Sequence, residues 1–214
     1  GSGSNMAAIA QAAQREAWHQ KFQARVCAVI SSRTDAKGLQ IATDLGLPTQ
    51  VVSHQTYATQ PDPRAAFDHD LMHAIDAHQP ALVVLAGFMR ILTPAFVARY
   101  AERLLNIHPS LLPRHKGLHT HRRVLEAGDP IHGASVHYVT PELDGGPCVL
   151  QGGLAVRPDD DAESLRLAVH RIEHVIYPRV VGWVTAGRLK LVEGLPTLDG
   201  ALLQQPIREE FSRS

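Results

Sequence analysis

Two rhythms alternate along the first hundred residues. Apolar positions three or four apart predict helices, and short unbroken apolar runs predict strands buried on both faces. Asn5 followed by an alanine-rich stretch from Met6 to about Phe22 predicts a helix with Asn5 as its N-cap. Residues 25–31, RVCAVIS, read as a buried strand. A helix over Asp35–Leu45 is stopped by Gly46 and Pro48, and 49–52 reads as a short strand. Phe67, Leu71, Met72 and Ile75 form a helical stripe within Pro63–His78. Residues 81–86, ALVVLA, predict another buried strand, Pro94–Tyr100 a short helix, and 104–107 a fourth strand.

Past residue 130 the rhythm changes. His132–Thr140 alternates, Asp144-Gly145-Gly146-Pro147 signals a turn, and Cys148–Val156 follows, which predicts an antiparallel pair. A long helix spans about Asp161–Ala186, then a short strand near Leu189–Val192. Strands alternating with helices predict an α/β fold: a doubly wound, mostly parallel sheet with helices on both faces and an antiparallel addition toward the C-terminus. Such sheets bind ligands at the carboxyl ends of their strands. The polar last dozen residues, 203–214, predict a frayed tail after a single domain over 1–202.

Composition narrows the function. The chain has 214 residues and as many Lys and Arg as Asp and Glu, so its formal net charge is zero. A general nucleic-acid binder would carry a basic face; any anionic partner here is expected to be small and held by a few placed groups. No apolar run approaches twenty residues, which predicts no membrane span. Cys27 and Cys148 lie far apart in sequence and predict two reduced thiols in a cytoplasmic protein.

The densest polar cluster is LLNIHPSLLP, residues 104–113. Period two along a strand puts Asn106 and His108 on one side. An amide and an imidazole there supply two donors that could meet one developing oxyanion. The same spacing fits a satisfied amide beside a packed histidine. PELDGGPCVLQ, residues 141–151, offers Asp144 at a glycine turn. If Asp144 met His108 it would fix the ring and favour its charged form. Histidines crowd residues 108–137, but neither an HExxH pattern nor paired CxxC occurs, which argues against zinc. At the start, Gly1-Ser2-Gly3-Ser4-Asn5 runs into a strong helix. Those residues fit either a vector-derived flank or a loop whose N–H groups face a phosphate.

GFMRIL at 87–92, LLNIHPSLLP at 104–113, GLHTHRRVLEAGD at 117–129 and ELDGGP at 142–147 together resemble the glycinamide ribonucleotide formyltransferases. The resemblance extends to GSGSN at the start and EHVIYP at 173–178, nearly the whole chain. It implies the formyltransferase-like fold, and transfer of a formyl group from 10-formyltetrahydrofolate, as co-substrate, to the amine of glycinamide ribonucleotide in purine synthesis, with no metal. It implies that the opening glycines are native and that Gly3, Ser4 and Asn5 hold the nucleotide phosphate. It also implies a strand ahead of that loop, which the sequence as given does not contain. The catalytic trio it implies is Asn106, His108 and Asp144. Met89, Arg90, Ile91 and Leu92 would line the folate pocket with Asn106, Arg64 would meet the folate glutamate, and Glu173 the glycinamide end. His170 stands where relatives often carry Gln. The resemblance assigns phosphate binding to the N-terminal half and folate binding to the C-terminal half.

Three alternatives use the same residues. A formyltetrahydrofolate hydrolase would carry an added regulatory domain, and a methionyl-tRNA formyltransferase-like domain an added tRNA-binding region with more positive charge. A non-catalytic folate- or nucleotide-binding module would keep the fold alone. The expected partners are small molecules, with neither nucleic acid nor membrane, on a cytoplasmic monomer or homodimer.

Overall fold

A computed structural model describes residues 2–213, in two compact units that divide between Leu104 and Leu105. Gly1 of the expected phosphate loop lies outside the described residues.

The first unit carries α1 (Ser4–Arg15), α2 (Trp18–Phe22), β1 (Val29–Ser31), α3 (Lys37–Asp44), β2 (Thr49–Val51), α4 (Pro63–Asp76), β3 (Val83–Val84) and α5 (Pro94–Arg99). The helix expected from Met6 to Phe22 is broken. Ala17 takes a left-handed conformation (φ 54°), and the chain restarts as α2 with Trp18 buried and its indole N–H donating to Glu16. The N-cap is Gly3, not Asn5. Gly3 has φ 76°, which side chains disfavour. A Cβ on it would also sit 2.4 Å from the Cα of Gly38, so two glycines let α1 and α3 touch backbone to backbone. Asn5 falls inside the first turn, buried.

The strands expected at 25–31 and 81–86 shrink to three and two residues, and both are half-buried rather than enclosed. The pairing accounts for β1: it runs parallel to β2 in a two-stranded sheet, with Val29 opposite Thr49. In α4, Pro63 sits in the first turn, where its missing N–H costs nothing, and Asp62 caps the helix by accepting from Ala65 N–H at 3.0 Å.

The second unit holds β4 (Leu104–His108) from its second residue on, α6 (Thr120–Ala127), β5 (Ile131–Tyr138), β6 (Cys148–Ala155), α7 (Ala162–Thr185), β7 (Leu189–Val192), β8 (Leu195–Leu198), β9 (Ala201–Leu202) and β10 (Ile207–Glu210). The β5–β6 antiparallel pair, α7 and β7 stand where the sequence pattern places them. α7 starts on a capping box: Asp161 accepts from Ser164 N–H at 2.7 Å, and Ser164 Oγ accepts from Asp161 N–H at 3.0 Å. Its stripe of Leu165, Val169, Ile172, Ile176 and Val180 is fully buried and faces β5 and β6. Gly152 of β6 makes that fit possible, since a Cβ there would meet Ile172 at 2.3 Å.

The frayed tail expected over 203–214 is corrected. Residues 207–210 form β10, parallel to β6, and Phe211 N–H continues the ladder to Gly153 O at 2.7 Å. The segment alternates intermediate and exposed positions, as an edge strand does, and its polar look concealed the ladder. A second antiparallel sheet, β7-β8-β9, and helix α6 were also not foreseen. Both cysteines are free and half-buried, and burial raises the Cys148 thiol to about 11. Among the described residues no helix is long and apolar enough to cross a membrane, and no three His, Cys, Asp or Glu side chains gather as a metal would need.

Candidate active site

β4 carries Asn106 and His108 in antiparallel register with β5, Asn106 opposite His137 and His108 opposite Ser135. The turn after β5 returns Asp144 to the same place. Asp144 adopts φ 49°, and Gly146 lies so close to β5 that a Cβ would meet Tyr138 O at 1.9 Å. The Asp-Gly-Gly run is therefore a backbone requirement as well as a turn signal. Its product is a close contact: Asp144 Oδ2 lies 3.4 Å from His108 Nδ1, with both side chains almost wholly buried. Gly117 N–H donates to the same oxygen at 2.9 Å and fixes the carboxylate from the far side.

His108 has a second neighbour that its sequence context did not suggest. Its Nε2 is 2.9 Å from the carbonyl oxygen of His115. That carbonyl is held in turn. His115 Nε2 lies 2.7 Å from Asp129 Oδ2, Arg114 also pairs with Asp129, and Ser110 Oγ donates to Arg114 O at 2.7 Å. Deeper in the turn, Gln151 Nε2 donates to Leu112 O and to Ser135 Oγ, and Ser135 Oγ donates to Ser110 O. A buried polar network with its members satisfied makes a rigid support, and this one anchors the turn behind His108.

Asn106 lies beside the pair. Its Nδ2 is 3.3 Å from His137 Nε2, and His137 Nδ1 donates to Tyr138 O at 2.9 Å. His137 is fully buried, and burial lowers its pKa. Asp144 Oδ1 stands 3.8 Å from the same Nε2. An amide, an imidazole with an acceptor at each nitrogen, and a buried carboxylate thus converge within one unit. This arrangement can donate hydrogen bonds to a developing oxyanion and move a proton.

Comparisons with known proteins give the family. A family model described as formyl transferase matches residues 1–181. The chain belongs to the formyl transferase family. Among formyl transferases it is 50% identical over 203 residues to the phosphoribosylglycinamide formyltransferase of Escherichia coli K12, covering 95% of this chain and 92% of that one. It is 40% identical to the enzyme of the same name from Haemophilus influenzae, with 95% and 92% covered. The solved phosphoribosylglycinamide formyltransferase of Coxiella burnetii superposes with a TM-score of 0.85 at 43% identity, covering 97% of this chain and 95% of that one. The formyl transferase α/β fold expected from the sequence is the fold of this chain.

The other expected positions fall into separate groups. In the first unit, Arg64 donates to Leu92 O at 3.0 Å, so the residue expected at the folate glutamate touches the segment expected to line the folate pocket. Arg90 lies over the Phe67 ring at 5.1 Å. Met89 and Ile91 are 76% and 64% exposed on a segment without regular structure. Gly3, Ser4 and Asn5 form the start of α1. In the second unit, Glu173 is buried on α7 with His170 Nε2 3.6 Å from its carboxylate, and the His170 ring lies 4.6 Å from that of His174. His115 and His137 were not singled out from the sequence. The signal available for His137 was its place in the alternating 132–140 run, which needed the β4–β5 register to acquire meaning.

Proposed function

We propose that this chain is one formyltransferase domain that transfers the formyl group of 10-formyltetrahydrofolate to the amine of glycinamide ribonucleotide, in the cytoplasm, as a monomer or homodimer. The observation that carries the reading is the buried contact of the Asp144 carboxylate with the His108 imidazole, beside Asn106.

The folate supplies an electrophilic formyl carbon, and the amine is itself a competent nucleophile. What the chain contributes is charge stabilisation and proton handling. Asn106 Nδ2 donates to the formyl oxygen as negative charge develops there. His108 donates through Nε2, exchanging the His115 carbonyl for that oxygen, while Asp144 holds Nδ1. Losing one such donor typically costs ~3–4 kcal/mol of barrier. Proton transfer from the attacking amine to the departing nitrogen runs through His108 or water, for a gain of about 100-fold or more.

Gly3, Ser4 and Asn5 fit a phosphate because the start of a twelve-residue helix offers N–H donors and the positive end of its dipole. Met89 and Ile91 fit the pterin because large exposed apolar side chains gain most when a ring covers them, and Arg90 and Leu92 frame the same segment. Glu173 would receive the glycinamide end of the nucleotide, with His170 at its side. Arg64 and residues 89–92 belong to the first unit.

The deciding experiment follows release of the deformylated folate with and without glycinamide ribonucleotide. Release only with the nucleotide supports transfer. Equal release without it identifies a hydrolase, and no release in either case identifies a binding module.

A further inference from the structure

His137 lies outside the trio, yet it is the residue that Asn106 faces across the β4–β5 ladder. Its two nitrogens have different neighbours. Nδ1 is 2.9 Å from a carbonyl oxygen, that of Tyr138, and a carbonyl only accepts, so Nδ1 carries a hydrogen. The ring is buried, and burial disfavours a second proton. After burial, the groups that bear on its charge are the Tyr138 carbonyl and Asp144, whose Oδ1 stands 3.8 Å from Nε2, which favour protonation, and His108 and Lys116, which oppose it. In the neutral ring Nε2 holds a bare lone pair. The Asn106 atom 3.3 Å away must then be the amide nitrogen, because the amide oxygen would set lone pair against lone pair.

This has a consequence for the reaction. The two hydrogens of an amide nitrogen lie in one plane, about 120° apart. Pinning one on His137 sets the direction of the other. Without the pin, the amide can turn over about its terminal torsion, which has two broad, nearly equivalent minima. The acceptor end would then face the oxygen that gains negative charge.

We propose that His137 is a positioning residue: its unprotonated Nε2 holds the Asn106 amide with the nitrogen, rather than the oxygen, toward the reacting formyl oxygen. The proposal rests on the reading of Asn106 as an oxyanion donor, and its test separates the two. Formyl-transfer kinetics are measured for the wild type, His137→Leu, His137→Gln, Asn106→Ala and the double variant Asn106→Ala/His137→Leu. Removing an oxyanion donor costs about 10²–10³ in kcat, and Asn106→Ala should fall in that range. His137→Leu keeps the donor but loses its aim, so kcat should drop between about tenfold and hundredfold, with KM for both substrates within about threefold. Gln offers an acceptor oxygen near the Nε2 position and should recover most of the loss. In the Asn106→Ala background, His137→Leu should cost nothing further in kcat.

An undiminished cost in that background overturns the proposal, because His137 would then act through the fold and not through the amide. Near-normal kcat for Asn106→Ala overturns the reading of Asn106 itself. Should His137→Leu fail to fold, ¹⁵N NMR of the wild type decides. Nδ1–H with a bare Nε2 at neutral pH supports the proposal, and an Nε2–H tautomer or an imidazolium overturns it.

Discussion

Two histidine clusters in the second unit show how the same side chain serves different ends. His108 is 7% exposed and has an acceptor at each ring nitrogen, the Asp144 carboxylate and the His115 carbonyl. The His121–His132 pair has nitrogen facing nitrogen, Nδ1 of one 2.9 Å from Nε2 of the other. One of those nitrogens must donate and the other accept, so the gap holds a single proton. Two N–H groups pointed at each other across that distance would repel. Burial then depresses both, His121 to about 4 and His132 to about 3. Burial alone therefore does not identify a catalytic histidine. The atoms opposite its nitrogens decide whether the ring is equipped to hold and pass a proton or only to fill a joint between α6 and β5.

The sharpest way to break this contrast is to remove the acidic partner or the ring. His108→Ala removes both the donor and the proton carrier and should lower kcat about 10³-fold or more, with thermal unfolding close to wild type. Asp144→Asn leaves the turn but not the charge, and kcat should fall about 10²-fold. Steady-state kinetics alongside calorimetry checks both. Near-normal rates for the pair of variants would leave His108 no more catalytic than His132.

A smaller effect should appear at Arg64. Arg64→Ala removes the guanidinium that braces Leu92 and should raise KM for the folate about tenfold while leaving KM for the nucleotide within about twofold. Equal changes for both ligands would remove Arg64 from the folate side.

The smallest effect concerns the His121–His132 pair. The folded-state values of His121 and His132 lie below the ordinary 6.5, so the unfolded chain binds these protons more readily. Their contribution to stability is complete above pH 6.5 and drains away as pH falls toward 4 and then 3. Melting temperature should be flat above about pH 7, decline below about 6.5, and decline less steeply in His132→Gln. An unchanged slope in that variant would show that the pair is not what acid attacks. His137 and His174 are lowered too and contribute in the same direction.

Much of this was legible locally. The helix expected over about Asp161–Ala186 is α7 almost to the residue, and the structure shows why: the Asp161 cap and the stripe of Leu165, Val169, Ile172 and Ile176 are properties of neighbouring positions. The alternation over 132–140 and the glycine turn predict the β5–β6 pair for the same reason. The break at Ala17 and the ladder at 207–210 were not legible. Helix propensity does not register that Trp18 must turn inward, and an edge strand can be as polar as a tail.

The site divides along the same line. Spacing along the chain fits a satisfied amide, a packed histidine and a turn aspartate as well as it fits chemistry, and the resemblance is what implies Asn106, His108 and Asp144 as a trio. Which nitrogen meets which oxygen was decided only in three dimensions. Asn106 meets His137, 31 residues away, through the β4–β5 register, and Asp144 reaches His108 through a left-handed backbone position next to glycines that let the turn press against β5. Contacts of that kind depend on non-local ladders and close backbone approach, and short-range spacing carries no record of either.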